Sequence, residues 1–200
     1  MILKSYEINK INQNINHFIL FYGKNEGLKN EALNILVKNK NNISNYEEKE
    51  ILENENVFIE NIISKSLFEE EKSIMIKRAT DKILKIIEIL HLKDLEETTI
   101  IINSENLEKK SKLRSFFEKD KSLVCVPFYP DNDQTLSKLA YIFLRDRKIS
   151  ISPLNINLIV NKCSGDRQKL INELQKLEYF AKRGKKIDDT SISKLINLSE

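Results

Sequence analysis

Apolar residues in this chain gather into short unbroken runs. Four of them stand out: FILFY (18–22), SIMIK (73–77), TTIIIN (98–103) and SLVCVPF (122–128). They are continuous instead of alternating, and rich in Ile and Val, which predicts strands of a parallel sheet covered on both faces. Between them the apolar positions fall three and four apart. Residues 28–39 (Leu28, Ala32, Ile35, Leu36), 54–65 (Val57, Ile59, Ile62, Ile63) and 81–91 (Ile83, Ile86, Ile87, Leu90) read as amphipathic helices. Asp81 stands near the start of the last, where a carboxylate suits the helix dipole. Strands alternating with helices predict an α/β fold with right-handed crossovers.

The pattern changes after Pro130. Helix spacing then holds throughout: Asp133 as a cap before Leu136, Leu139, Ala140 and Phe143; Ser152 as N-cap with Pro153 at the first helical position; Leu170, Leu174, Leu177 and Ala181 on one stripe ending at Gly184; and a last short helix from DDTSIS. The predicted division is an α/β domain over 1–132 and a smaller all-helical domain over 133–200.

Composition narrows the class. With 200 residues, 40% hydrophobic and 32% charged, the chain can bury a proper core and is no disordered tail. No run is long enough to span a membrane, and MILKSYEINK is no signal peptide. Cys125 and Cys163 lack metal-ligand spacing and read as reduced thiols of a cytoplasmic protein. His17 and His91 are isolated and read as structural. Net charge is +3, unevenly spread: residues 47–72 carry nine Glu against three Lys, and residues 161–186 carry eight Lys or Arg against three acids. The basic stretch is a solvated face or lies near nucleic-acid phosphates; no aromatic interleaving or base-reading motif is evident in it.

The stretch FILFYGKNEGLKNEA has the outline of a strand, a phosphate loop and a helix. A working loop needs G-x-x-x-x-G-K-[ST], so that backbone N–H groups wrap the phosphates, Lys reaches them and a hydroxyl holds Mg²⁺. Here three residues separate Gly23 from Gly27, Leu28 stands where the Lys belongs, and Lys29 is followed by Asn30. The loop keeps its shape and loses its chemistry. A second requirement also fails: the strand that should end in metal-holding acids ends in Lys77-Arg78-Ala79-Thr80, whose cations would repel Mg²⁺. No catalytic residue, metal ligand or cofactor is expected. Asn103 could mimic a γ-phosphate sensor, but reads better as the start of a loop. In GDRQKL the arginine is Arg167, two after Gly165 and one place early for a second sensor, so a surface charge is expected.

These segments resemble the delta subunit of the bacterial replicative clamp loader. The resemblance runs through FILFYGKNEGLKNEA, ISKSLFEEEKSIMIKR, IIINSENLEKKSKLRSFFE, VPFYPDNDQTLSKLAYIFL and CSGDRQKLINELQKLEYF, in that order. It implies an AAA+-like (RecA-like) parallel-sheet domain with a degenerate P-loop and a small helical lid. It also implies a non-catalytic role: binding the ring-shaped sliding clamp (the beta subunit) and holding it open for loading onto primed DNA, beside other clamp-loader subunits of a DNA polymerase holoenzyme. The clamp contact carries over to Leu67 and Phe68, an apolar pair followed by Glu69-Glu70-Glu71. Both could instead close the core before the strand. The resemblance covers no counterpart of the family's helical collar domain: either the chain is a fragment, or collar-dependent assembly is in doubt for it. An ATPase with an unusual loop and a DNA-binding module using the basic lid remain as alternatives.

Overall fold

The computed structural model describes residues 1–13, 15–37, 43–64, 72–93, 95, 98–184 and 187–195, with backbone only at residue 72. They form two compact units. One holds Met1–Lys24 and Lys29–Phe128; the other holds Asn25–Leu28 with the chain from Tyr129 onward. The boundary lies four residues before the one predicted, and a piece of the glycine loop belongs to the helical unit.

The first unit is built on five parallel strands, β1 (Phe18–Tyr22), β2 (Ile43–Glu47), β3 (Lys72–Lys77), β4 (Thr98–Ser104) and β5 (Val124–Pro127), in the order β2-β3-β4-β1-β5. Strand alternation sends Phe18, Leu20, Ile74, Ile76, Ile100, Ile102 and Cys125 into one core. There they meet Ile51 of α2 (Glu48–Glu53), Phe58 and Ile62 of α3 (Glu55–Ile63), Ile86 and Leu90 of α4 (Leu84–His91), and Phe117 of α5 (Lys112–Lys119). Ile19, Phe21, Met75, Ile101, Val124 and Val126 point the other way and are buried as well. Both faces are therefore covered, which is why these strands read as unbroken apolar runs. Met1–Leu3 adds to the edge: Ile2 bridges Cys125, and the Leu3 N–H donates to the Cys125 carbonyl at 3.0 Å.

Several details depart from the sequence expectations. The strand ISNYE lies at the sheet edge, is half-buried and polar, and gave no apolar run to read. The helix expected over 54–65 is preceded by a separate α2, broken at Asn54 (φ −140°, ψ 50°). On α3 the buried stripe is Phe58 and Ile62, while Val57 and Ile63 are exposed; on α1 (Glu26–Leu36) Ile35 is exposed and Lys29 takes the inward position beside Ala32 and Leu36. Asp81 does more than suit a dipole. It accepts the Ser111 hydroxyl at 2.6 Å and the N–H groups of Lys112 and Leu113, tying a short 3-10 turn to the start of α5.

In the second unit, α6 (Asp133–Asp146), α7 (Pro153–Cys163), α8 (Arg167–Lys182) and α9 (Asp189–Leu195) share a core of Leu136, Ala140, Leu144, Ile159, Val160, Leu170, Leu174, Leu177 and Ile192. Each large aliphatic side chain so buried contributes about 1.5–3 kcal/mol. Caps follow the sequence closely: Ser152 caps α7 with Pro153 at its first turn, and Asp166 caps α8. For α6 the cap is Asn132, whose side-chain oxygen accepts the Thr135 N–H at 2.8 Å, so Asp133 is the first helical residue.

Candidate functional site at the glycine loop

β1 is flanked by β4 and β5, and its C-terminal end runs into the glycine loop, the place where parallel α/β sheets bind ligands. In the sheet unit, Gly23 sits at φ +121°, and a Cβ there would lie 2.1 Å from the Phe128 carbonyl oxygen. Its N–H donates to the Glu105 carbonyl at 2.6 Å. Gly23 is thus a packing glycine, required by the backbone beside it.

Lys29 carries the loop's positive charge, and it points inward. The side chain is 2% exposed, and Nζ donates to the Ser104 carbonyl at the end of β4 at 2.7 Å. An ammonium held that way is positioned by the fold's interior, and moving it would strip a buried carbonyl of its donor.

The loop residues of the helical unit are closed by their own hydrogen bonds. Asn25 Oδ1 accepts the Leu28 N–H at 3.1 Å, capping the first turn of α1. A phosphate at a helix N-terminus uses such free N–H groups; here a side chain already holds this one. Asn25 Nδ2 donates to the Tyr129 carbonyl at 3.0 Å and to Asp131 Oδ2 at 2.9 Å. Asp131 in turn accepts two bonds from Arg167, Nε to Oδ2 at 2.8 Å and Nη2 to Oδ1 at 2.9 Å. Gly27 lies against the start of α8: a Cβ there would come within 2.8 Å of the Gln168 nitrogen and 3.2 Å of Arg167 Cβ.

Arg167 is therefore no surface charge. Its side chain and that of Asp131 are only 11% and 8% exposed. Asp131, far away in sequence, supplies its partner. An anion is already bound at these donors, and it is the protein's own carboxylate. A phosphate brought to Asn25 and Arg167 would have to displace Asp131 or sit beside its charge.

Asn103 lies within β4, level with Phe21, and does not start a loop. Its carbonyl accepts the Ala79 N–H at 3.0 Å, while its Oδ1 is buried without a hydrogen-bond partner among the described residues. At the end of β3, Arg78 lies in the left-handed region (φ 54°), 3.6 Å from Glu47. The buried acid nearby, Glu48, accepts the N–H and hydroxyl of Thr80 at 2.7 and 3.0 Å. Leu67 and Phe68 lie outside the described residues.

Other candidate chemistry is structural. Burial raises the thiols of Cys125 and Cys163 to about 12 and about 11. His91 Nε2 lies 3.2 Å from Asp120 Oδ2, its ring edge-on to Phe18 and Phe116. Among the described residues there is no group of three or more His, Cys, Asp or Glu that could hold a metal ion, and no helix long and apolar enough to cross a membrane.

The five-stranded parallel sheet with its helices is the AAA+-like (RecA-like) fold class expected from the sequence. Solved structures agree. The chain is similar to domain III of the replication initiation protein DnaA from Thermotoga maritima, with a TM-score of 0.58 and 16% identity over 96% of this chain and 88% of that one. It is similar to the Bacillus subtilis DNA clamp loader delta protein, at 0.55 and 15% over 88% of this chain and 57% of that one. Thermotoga maritima RuvB gives 0.62 and 11% over 97% and 66%. At these identities the likeness establishes the fold, and the chain spans just over half the length of the clamp loader delta protein. No protein-family model matches the sequence, and no curated protein matches it.

Proposed function

We propose that the chain is a non-hydrolysing AAA+ subunit of a replication assembly, of the clamp-loader delta kind, working by protein contact instead of by nucleotide turnover. The observation that carries this reading is the Asn25–Asp131–Arg167 chain of hydrogen bonds, which sets the protein's own carboxylate on the side-chain donors beside the loop, where an incoming phosphate would meet its charge. The inward Lys29 and the cationic end of β3 support it. The order of resembling segments and the fold shared with a clamp loader delta protein support the partner, a ring-shaped sliding clamp. In this reading Leu67 and Phe68 form an apolar anchor with an acidic rim, the construction of an interface hot spot.

Two measurements test it. Labelled ATP with Mg²⁺, titrated against the chain, should show neither micromolar binding nor hydrolysis; either would overturn the non-hydrolysing part. A pull-down with the sliding clamp of the same organism should capture the chain; failure of the full-length protein to bind would overturn the partner.

A further inference from the structure

The helical unit is the basic part of the protein. From residue 129 onward the sequence holds thirteen Lys and Arg against nine Asp and Glu. One place in it combines a cleft, uncompensated charge and backbone strain. α6 ends with the Lys148 N–H bonded to the Arg145 carbonyl at 3.0 Å and the Ile149 N–H to the Leu144 carbonyl at 2.9 Å, a closing pattern that puts the residue between them in the left-handed region. Glycine is the ordinary occupant there, as Gly184 (φ 72°) is after α8. After α6 the occupant is Lys148, at φ 57°. A strained residue that a glycine would relieve is a reason to look for a task its side chain performs.

Lys148 stands in the wall shared by two clefts. The first, about 660 Å³, is lined by Arg147, Lys148, Ile149, Glu178, Lys182 and Ile187 among others. The second, about 370 Å³, is lined by Tyr141, Arg145, Lys148 and Ile151 among others. Arg145 pairs with Asp146, and Arg147 and Lys182 share Glu178 at 2.7 and 2.8 Å. Hydrogen bonds from Lys182 and Arg147 hold the Glu178 carboxyl below its ordinary range, so it stays ionised. Four cations against two acids still leave an excess of two positive charges. Lys148 itself has no ion pair among the described residues.

Aromatic rings accompany these cations. Tyr141 lines the second cleft and is 60% exposed; Tyr179, one turn before Lys182 on α8, is 67% exposed with the Lys182 ammonium 5.9 Å from its ring centre. The charge run of residues 161–186 holds Tyr179 and Lys182 but neither Tyr141 nor Lys148, so the sequence showed only part of this grouping.

We infer that the paired clefts around Lys148 bind single-stranded nucleic acid, with Lys148 and its neighbouring cations on backbone phosphates and Tyr141 stacked on a base. Cationic tracks with exposed aromatic platforms are how proteins hold single strands without reading sequence. This inference stands apart from the clamp reading and can fail separately.

The test uses the full chain and a short labelled oligo-dT followed by fluorescence anisotropy across a salt series. The wild type should bind, weakening as salt rises. Lys148→Gly is the informative variant, since it removes the cation and relieves the strain together. It should weaken binding roughly threefold or more and lower the slope of log K against log salt by about 0.7, one phosphate contact on a single strand. Its melting temperature should rise by about 2–4 °C, so the loss cannot come from unfolding. Tyr141→Ala should weaken binding by about tenfold, as for one lost stacking contact. No binding by the wild type, unchanged affinity in Lys148→Gly, or a duplex bound as tightly as the single strand would each overturn the inference.

Discussion

Arg167 and Asp131 meet side-on, through bonds of 2.8 and 2.9 Å, with both groups almost wholly withdrawn from water. The geometry is the paired fork of guanidinium and carboxylate, stronger than two neutral hydrogen bonds. Removing one partner strands the other's charge. Arg167→Ala should therefore destabilise the helical unit by about 3 kcal/mol or more. Thermal unfolding of the single and double alanine variants checks this, and the double Asp131→Ala/Arg167→Ala variant should cost clearly less than the sum of the two.

Lys29→Met separates a structural lysine from a phosphate-binding one. In a working phosphate loop that change would destroy nucleotide affinity and leave the fold standing. Here it should destabilise the protein by about 1–3 kcal/mol, because the Ser104 carbonyl loses a buried donor. Chemical denaturation should show the shift, and ATP titration should read the same for variant and wild type.

Leu67→Ala with Phe68→Ala tests the clamp contact. Buried anchors of this kind commonly cost about 2 kcal/mol or more each on truncation, so clamp affinity should fall by several hundredfold or more while the melting temperature changes little. A collapse of the melting temperature would place both residues in the core, and unchanged affinity would remove them from the interface.

Acid should loosen the fold in a definite window. Burial alone would raise the Asp81 carboxyl, but hydrogen bonds from Ser111, Leu113 and Lys112 outweigh it and hold it below its ordinary value. Hydrogen bonds from Ser191 and Thr190 bring Asp188 from 3.8 down to about 2. A carboxyl depressed in the folded state stabilises above its unfolded value, and that stability is lost as pH falls through the folded one. Melting temperature should therefore decline as pH drops from about 4 toward 2. Asp81→Asn and Asp188→Asn should each flatten that decline, and asparagine keeps a capping oxygen at position 188.

Much of the scaffold was legible locally. β1, β3, β4 and β5 announced themselves because strands covered on both faces carry unbroken apolar runs along their buried middles. Ser152, Pro153 and Gly184 marked helix ends because capping is settled within a few residues. β2 escaped because an edge strand can be polar. The departure of the glycine loop from G-x-x-x-x-G-K-[ST] was legible in its spacing, but the hydrogen bonds beside it were out of reach: Asp131 and Arg167 are 36 residues apart, and neither lies near Asn25 in sequence.

The sequence by itself determined where the chain turns, which stretches seek a core, and that the loop departs from the G-x-x-x-x-G-K-[ST] spacing. Those properties depend on side-chain type and spacing within a turn or a strand. Only the tertiary structure decided that Lys29 faces inward, that Arg167 is buried against Asp131, and that Lys148 stands strained between two clefts. Each depends on which distant group the fold brings within hydrogen-bond reach, or on the space left around a side chain, and no local pattern encodes either.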